Sequence, residues 1–106
     1  MKTILKFQQG DIVIKTTIIP KKQWGKKLNH TILQKSDVSG HAHVVKGKAI
    51  LFSTEKDDEF FLEVLDNNTK VVHEEHKEIK IPKGKYFVYG VREFDPFEEE
   101  IRRVRD

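Results

Sequence analysis

The chain has 106 residues, a size at which a single domain spanning 1–106 is the default, and it carries 37% apolar, 35% charged and no cysteine residues. The missing cysteine excludes disulfides, thiolate metal sites and a cysteine nucleophile, so any metal site must use nitrogen and oxygen ligands. No apolar run is long enough for a signal peptide or a bilayer span, which leads us to expect a soluble, cytoplasmic protein with no membrane partner.

The net charge of +3 is unevenly spread. Residues 1–50 carry ten Lys against Asp11 and Asp37, whereas residues 51–106 carry ten Lys or Arg against fifteen acids. The basic half invites a polyanion; equally, the two halves would attract each other once folded.

In chain order, Gln9-Gly10-Asp11 reads as a turn that releases a β-branched run over residues 12–19, a strand stopped by Pro20. Lys21-Lys22-Gln23-Trp24-Gly25-Lys26-Lys27 has loop composition, and a short strand follows over about residues 29–34. Residues 41–45 read as a strand, Lys46-Gly47-Lys48 as a tight turn, and Ala49-Ile50-Leu51-Phe52 as its hairpin partner. Strands are further expected over residues 60–65, 70–73 and 78–81, with turns at 55–59, 66–68 and 82–84. In residues 85–94 Tyr86 and Val88 alternate with Phe87, Tyr89 and Val91, so both faces are apolar and the strand should be central. Phe97, Ile101 and Val104 then recur at helical spacing, with Glu98 and Glu99 four residues ahead of Arg102 and Arg103. The expected fold is all-β, a small barrel or sandwich with a short C-terminal helix.

Four of the five histidines fall in Gly40-His41-Ala42-His43 and His73-Glu74-Glu75-His76. In a strand His41 and His43 share a face about 7 Å apart, a spacing that lets two imidazoles converge on one ion. A third ligand from another strand would complete the set, and His73 or His76, with Glu75 or Glu74 beside them, is the natural supply; in a turn or one helical turn the two histidines would come together. The i, i+3 spacing excludes the helical zinc-protease motif, and the acid that follows a cupin histidine pair is absent between Val44 and Phe52. The competing reading places these histidines on edges and loops, bonded to carbonyls and carboxylates.

Gln9-Gly10-Asp11, Gly40-His41-Ala42-His43, His73-Glu74-Glu75-His76 followed by Ile79, Ile81-Pro82, Gly84 and Tyr86, and Arg92-Glu93-Phe94 with Pro96 form a set. In these pieces, which span most of the chain, the protein resembles a small family of uncharacterised prokaryotic and viral proteins. That family's last piece reads Arg-Glu-Tyr with a second arginine two residues earlier, where this chain has Phe94 and Gly90. The resemblance groups the His and Arg-Glu pieces without naming an activity.

Two functional readings follow, and whether the protein is an enzyme stays open between them. In the first, His41, His43, His73 and His76 with Glu75 bind a divalent metal, and Arg92 anchors a small anionic ligand through its planar guanidinium. No serine stands out as a nucleophile, Ser39 being distinguished only by its nearness to His41. In the second, the protein is a binding or assembly module, a homo-oligomer among the options. Lys21, Lys22, Lys26 and Lys27 would then neutralise nucleic-acid phosphates while Trp24 stacks on a base.

Overall fold

The computed structural model describes residues 4–35, 42–56 and 59–91. Within them the chain forms a five-stranded antiparallel sheet facing a four-stranded one. The larger sheet consists, in spatial order, of β1 (Lys6–Gln9), β2 (Ile12–Thr16), β9 (Gly84–Gly90), β6 (Phe60–Val64) and β5 (Ala49–Ser53). The smaller is β3 (Ile32–Lys35), β4 (Ala42–Lys46), β7 (Thr69–His73) and β8 (His76–Ile81). The all-β expectation holds in sandwich form, because no backbone ladder among the described residues joins β1 to β8 and the barrel stays unclosed. The expected C-terminal helix, together with Ser36, Ser39, His41 and Arg92, lies outside the described residues.

Period-2 alternation explains the core. Ile12 and Ile14 of β2, Tyr86 and Val88 of β9, Leu62 and Val64 of β6 and Leu51 of β5 point inward from one sheet. Leu33, Val45, Val71 and Ile81 meet them from the other. Each such side chain taken fully out of water contributes about 1.5–3 kcal/mol. The doubly apolar β9 is central, between β2 and β6, as its sequence requires. Its outward face feeds a second apolar cluster of Trp24, Phe52 and Phe61, with Ile50 and Phe87 packed against it.

The structure corrects the hairpin expected between residues 41–45 and 49–52. β4 pairs with β3 and β7, β5 pairs with β6, and the chain changes sheets between them. A polar Lys-Gly-Lys run serves a corner as well as a hairpin; here both strands must point their apolar faces into one core from opposite layers. β6 to β7 and β8 to β9 also change sheets, and all three crossings lie at the same end. Asp66 organises the second, accepting from Asn68 N (3.0 Å) and from the Thr69 hydroxyl (3.1 Å). Tyr86, wholly buried, caps the third by donating its hydroxyl to the Pro82 carbonyl at 2.6 Å.

Along one lateral side the backbone itself links the sheets. Leu28 N bonds Leu51 O on β5 at 2.8 Å, and Val45 N on β4 bonds Thr31 O at 2.9 Å. Strand β2 stops at Thr16 rather than Ile19, and Ile18 is left 87% exposed. Strand β1 is absent from the sequence-based expectation.

The first corner depends on Gly47, whose φ is +128° and whose missing Cβ would lie 2.8 Å from Thr69 Oγ1. Gly47→Ala should therefore cost about 1–3 kcal/mol. A lowered urea midpoint with unchanged slope is the expected readout, and an unaltered midpoint would show that the corner tolerates a side chain.

Candidate functional site

At the end opposite the corners, three strands of the smaller sheet bring three histidines together. β7 and β8 are joined through Glu74-Glu75 alone, so His73 and His76 become cross-strand partners. Their ring centroids are 4.7 Å apart. β4 lies beside β7 with Val44 opposite Val72, which carries His43 to within 4.3 Å of His73 and 5.8 Å of His76, centroid to centroid. His43 faces inward with Val45 and is 4% exposed. The turn geometry that would join His73 to His76 is thus realised.

From the larger sheet, the β1–β2 turn closes over this cluster. Gln9 pairs with Ile12 across Gly10-Asp11, and a positive φ at the first turn position (Gly10, +59°) is the pattern of a type II′ hairpin. Each of the three consecutive residues has a separate task. The Gln9 amide nitrogen donates to Val71 O (3.1 Å) and Lys77 O (2.9 Å) of the opposite sheet. These carbonyls flank a register shift between β7 and β8, where the ladder between the strands is broken. Gly10 leaves room for the neighbouring ring, since a Cβ there would stand 2.7 Å from His76 Nε2. Asp11 places its carboxylate 3.6 Å from His43 Nε2.

Hydrogen bonding then decides which imidazole nitrogens are usable. With both Gln9 N–H groups given to carbonyls, its oxygen faces His43 Nδ1 at 2.8 Å and can only accept. His43 therefore carries its proton on Nδ1 and, when neutral, presents the Nε2 lone pair toward Asp11. At His73 the arrangement is reversed: Nδ1 accepts from Glu75 N at 3.0 Å, so the neutral ring carries its proton on Nε2. Burial holds the His43 pKa below the ordinary 6.5; His73 pushes the same way, Asp11 opposes, and His76 adds a smaller lowering.

Of the residues singled out in the sequence, His43, His73 and His76 are brought together, while His41 and Arg92 lie outside the described residues. Glu75 contributes its backbone N–H to His73, and it is Glu74 that reaches β4, accepting from Ala42 N at 3.2 Å. Gln9 and Asp11 enter the site although sequence reasoning treated them as turn residues. The one available signal was their place among the grouped pieces. Val91 N bonds Asp11 O at 2.7 Å, so the chain leading into Arg92 passes this turn.

The lysine loop is elsewhere. Trp24 is 7% exposed, stacked on Phe61 at 4.9 Å and 2° and edge-on to Phe52, with its Nε1 donating to Ile19 O. Its ring is packed against protein, not presented to a base. Lys21 pairs with Glu63 at 2.7 Å, and Lys22, Lys26 and Lys27 are exposed.

Two predictions follow from the locked His43. Gln9→Leu strands the Val71 and Lys77 carbonyls at a cost of about 1–3 kcal/mol for each one left buried and unpaired, readable in urea unfolding. Because the folded pKa of His43 is lowered, the unfolded chain takes the proton first as pH falls. Its contribution is whole above about pH 6.5, declines as pH falls through that value, and levels off below the folded pKa. His43→Gln should flatten that part of the stability–pH curve, and an unchanged slope would assign it to another group.

No curated protein and no solved structure shows significant similarity to the chain. A family model described as Domain of unknown function (DUF8820) matches residues 8–90, a span that runs from the Gln-Gly-Asp turn through the His-Glu-Glu-His hairpin to the end of β9. The chain belongs to the DUF8820 family.

Proposed function

We propose that the cluster is a divalent-metal site in which His43 Nε2 and His76 supply imidazole nitrogens and Asp11 a carboxylate. The observation that carries the reading is the Gln9 lock, which commits the His43 proton to Nδ1 and leaves Nε2 facing Asp11 across 3.6 Å. Metal-binding histidines characteristically donate their other ring N–H to a fixed acceptor, and Gln9 is such an acceptor. Two ligands each about 2.1 Å from a tetrahedral ion stand about 3.4 Å apart, close to the separation seen here.

Among the described residues no three His, Asp or Glu side chains already stand as a finished cation site. His43 is the rigid member; His76 and the 61%-exposed Asp11 are surface side chains that can close on it by rotation. His73 takes part as a neighbour, since its Nδ1 is occupied by the Glu75 N–H. Two imidazoles and one carboxylate leave coordination positions open, the arrangement of sites that bind a water or a small anion and not of closed structural sites. The reading is therefore a metal-dependent small-ligand site at the rim of a β-sandwich.

Metal analysis of untagged protein, followed by calorimetric titration with zinc, nickel and manganese, tests it. One ion per chain is expected, with binding lost in His43→Ala and weakened about 10–100-fold in Gln9→Leu, which removes no ligand. Affinity should fall as pH drops through the lowered pKa of His43, where a proton competes for Nε2. His43→Ala protein that binds metal as tightly as the parent would end the proposal.

A further inference from the structure

Among the described residues the large apolar side chains left exposed are Ile4, Ile18, Ile19 and Leu65, and all four lie at the end that holds the three corners. Strand order sets their sequence in space. Along this end of the larger sheet Ile4 precedes β1, Ile18 and Ile19 follow β2, Lys83 precedes β9 and Leu65 follows β6. At about 4.8 Å from strand to strand, the row is about 14 Å long. A groove whose lining includes Ile4, Ile18, Lys15, Lys85 and Phe87 opens beside it.

Ile18 protrudes because its loop is held open. Thr17 N bonds Lys85 O at 3.1 Å, the Thr17 hydroxyl accepts from Ile19 N at 3.1 Å, and the buried Trp24 donates its Nε1 proton to Ile19 O, also at 3.1 Å. Three bonds thus fix residues 17–19 with Ile18 87% exposed. Apolar tips gathered and held outward in this way mark an interaction surface.

Charge identifies the partner. Lys46, Lys48, Lys83 and Lys85 are exposed at the same end, and exposed Lys6 faces exposed Lys15 across the β1–β2 pair. The neighbouring carboxylates are engaged: Glu63, opposite Lys85 in the ladder, goes to Lys21 at 2.7 Å, Glu78 to Lys70 at 3.0 Å and Asp66 to its own turn. Asp11, Glu74 and Glu75 stand at the opposite end. We propose that this cationic, aliphatic-tipped end docks on an anionic phospholipid bilayer. Ile4, Ile18, Ile19 and Leu65 enter the boundary between headgroups and acyl chains while the lysines meet the phosphates. Aliphatic tips suit acyl chains; a nucleic-acid base calls for an open ring, and Trp24 and Phe61 are each only 7% exposed. The sequence-based expectation of no membrane partner concerns spanning runs, and a surface contact needs none. The imidazoles are at the far end, so the docking surface and the metal site stand or fall separately.

The full-length protein should co-sediment with phosphatidylcholine vesicles carrying about 30% phosphatidylglycerol and stay in solution with phosphatidylcholine alone. Ile18→Asp, at a position outside the core, should lower the partition coefficient about tenfold or more, and Lys83→Glu with Lys85→Glu should do the same. Ile18→Ser replaces Ile18→Asp if the latter fails to accumulate as folded protein. Equal partition of the parent and the Ile18 variant would overturn the proposal, because charge alone would then account for binding. A parent that ignores the anionic vesicles would overturn it too: retention of a single-stranded oligonucleotide would then assign this end to nucleic acid, and self-association abolished by Ile18→Asp would assign it to a second copy.

Discussion

The side-chain amide of Gln9 is the interaction on which both the architecture and the site depend. The backbone links the two sheets at the three corners and along the β5–β4 side. Between β1 and β8 there is no such ladder among the described residues, and Gln9 bridges the seam through Val71 O and Lys77 O. A buried amide with both hydrogens committed has one orientation, and that orientation fixes the His43 proton. One residue thus joins the layers and sets the chemistry of the imidazole beneath it.

The two residues after it complete this arrangement within a single tight turn. Gly10 matters for its conformation and for its missing side chain, since His76 Nε2 occupies the space that a Cβ would need. Asp11 brings an exposed carboxylate to the one nitrogen of His43 that carries no proton. The facing hairpin is built with similar economy: Glu74-Glu75 turns the chain, Glu75 N–H orients His73, and Glu74 ties the hairpin to β4. Burial, with the neighbouring His73 acting in the same direction, holds the pKa of His43 below its ordinary value.

Much of this was legible in the sequence wherever the signal was local. The two-faced apolar pattern of residues 85–91 marked the central strand, and the polar pair between His73 and His76 was compatible with the turn that joins them. Lys46-Gly47-Lys48 misled because a hairpin turn and a sheet-changing corner have the same composition; which one forms depends on where β5 finds its partner, at β6. β1 escaped because Lys6-Phe7-Gln8-Gln9 holds one large apolar residue, and its inclusion in the sheet is decided by pairing with β2. Gln9 and Asp11 escaped as site residues because their partners are distant in sequence; the bonds from Gln9 to Val71 and Lys77 cross 62 and 68 residues. Trp24 looked like an exposed stacking surface because nothing nearby in sequence announces Phe52 and Phe61.

The distribution of covalent crossings gives the molecule a spine and a fore-edge. Three of the sheet-to-sheet passages are gathered at one end and the fourth, from β2 to β3, runs along the β5–β4 side, whereas at the β1–β8 margin the leaves are clasped, among the described residues, by side chains alone. Opening that margin would break side-chain contacts only, so an occupant held between Asp11 of one leaf and His43 of the other would be a bookmark that is also a lock.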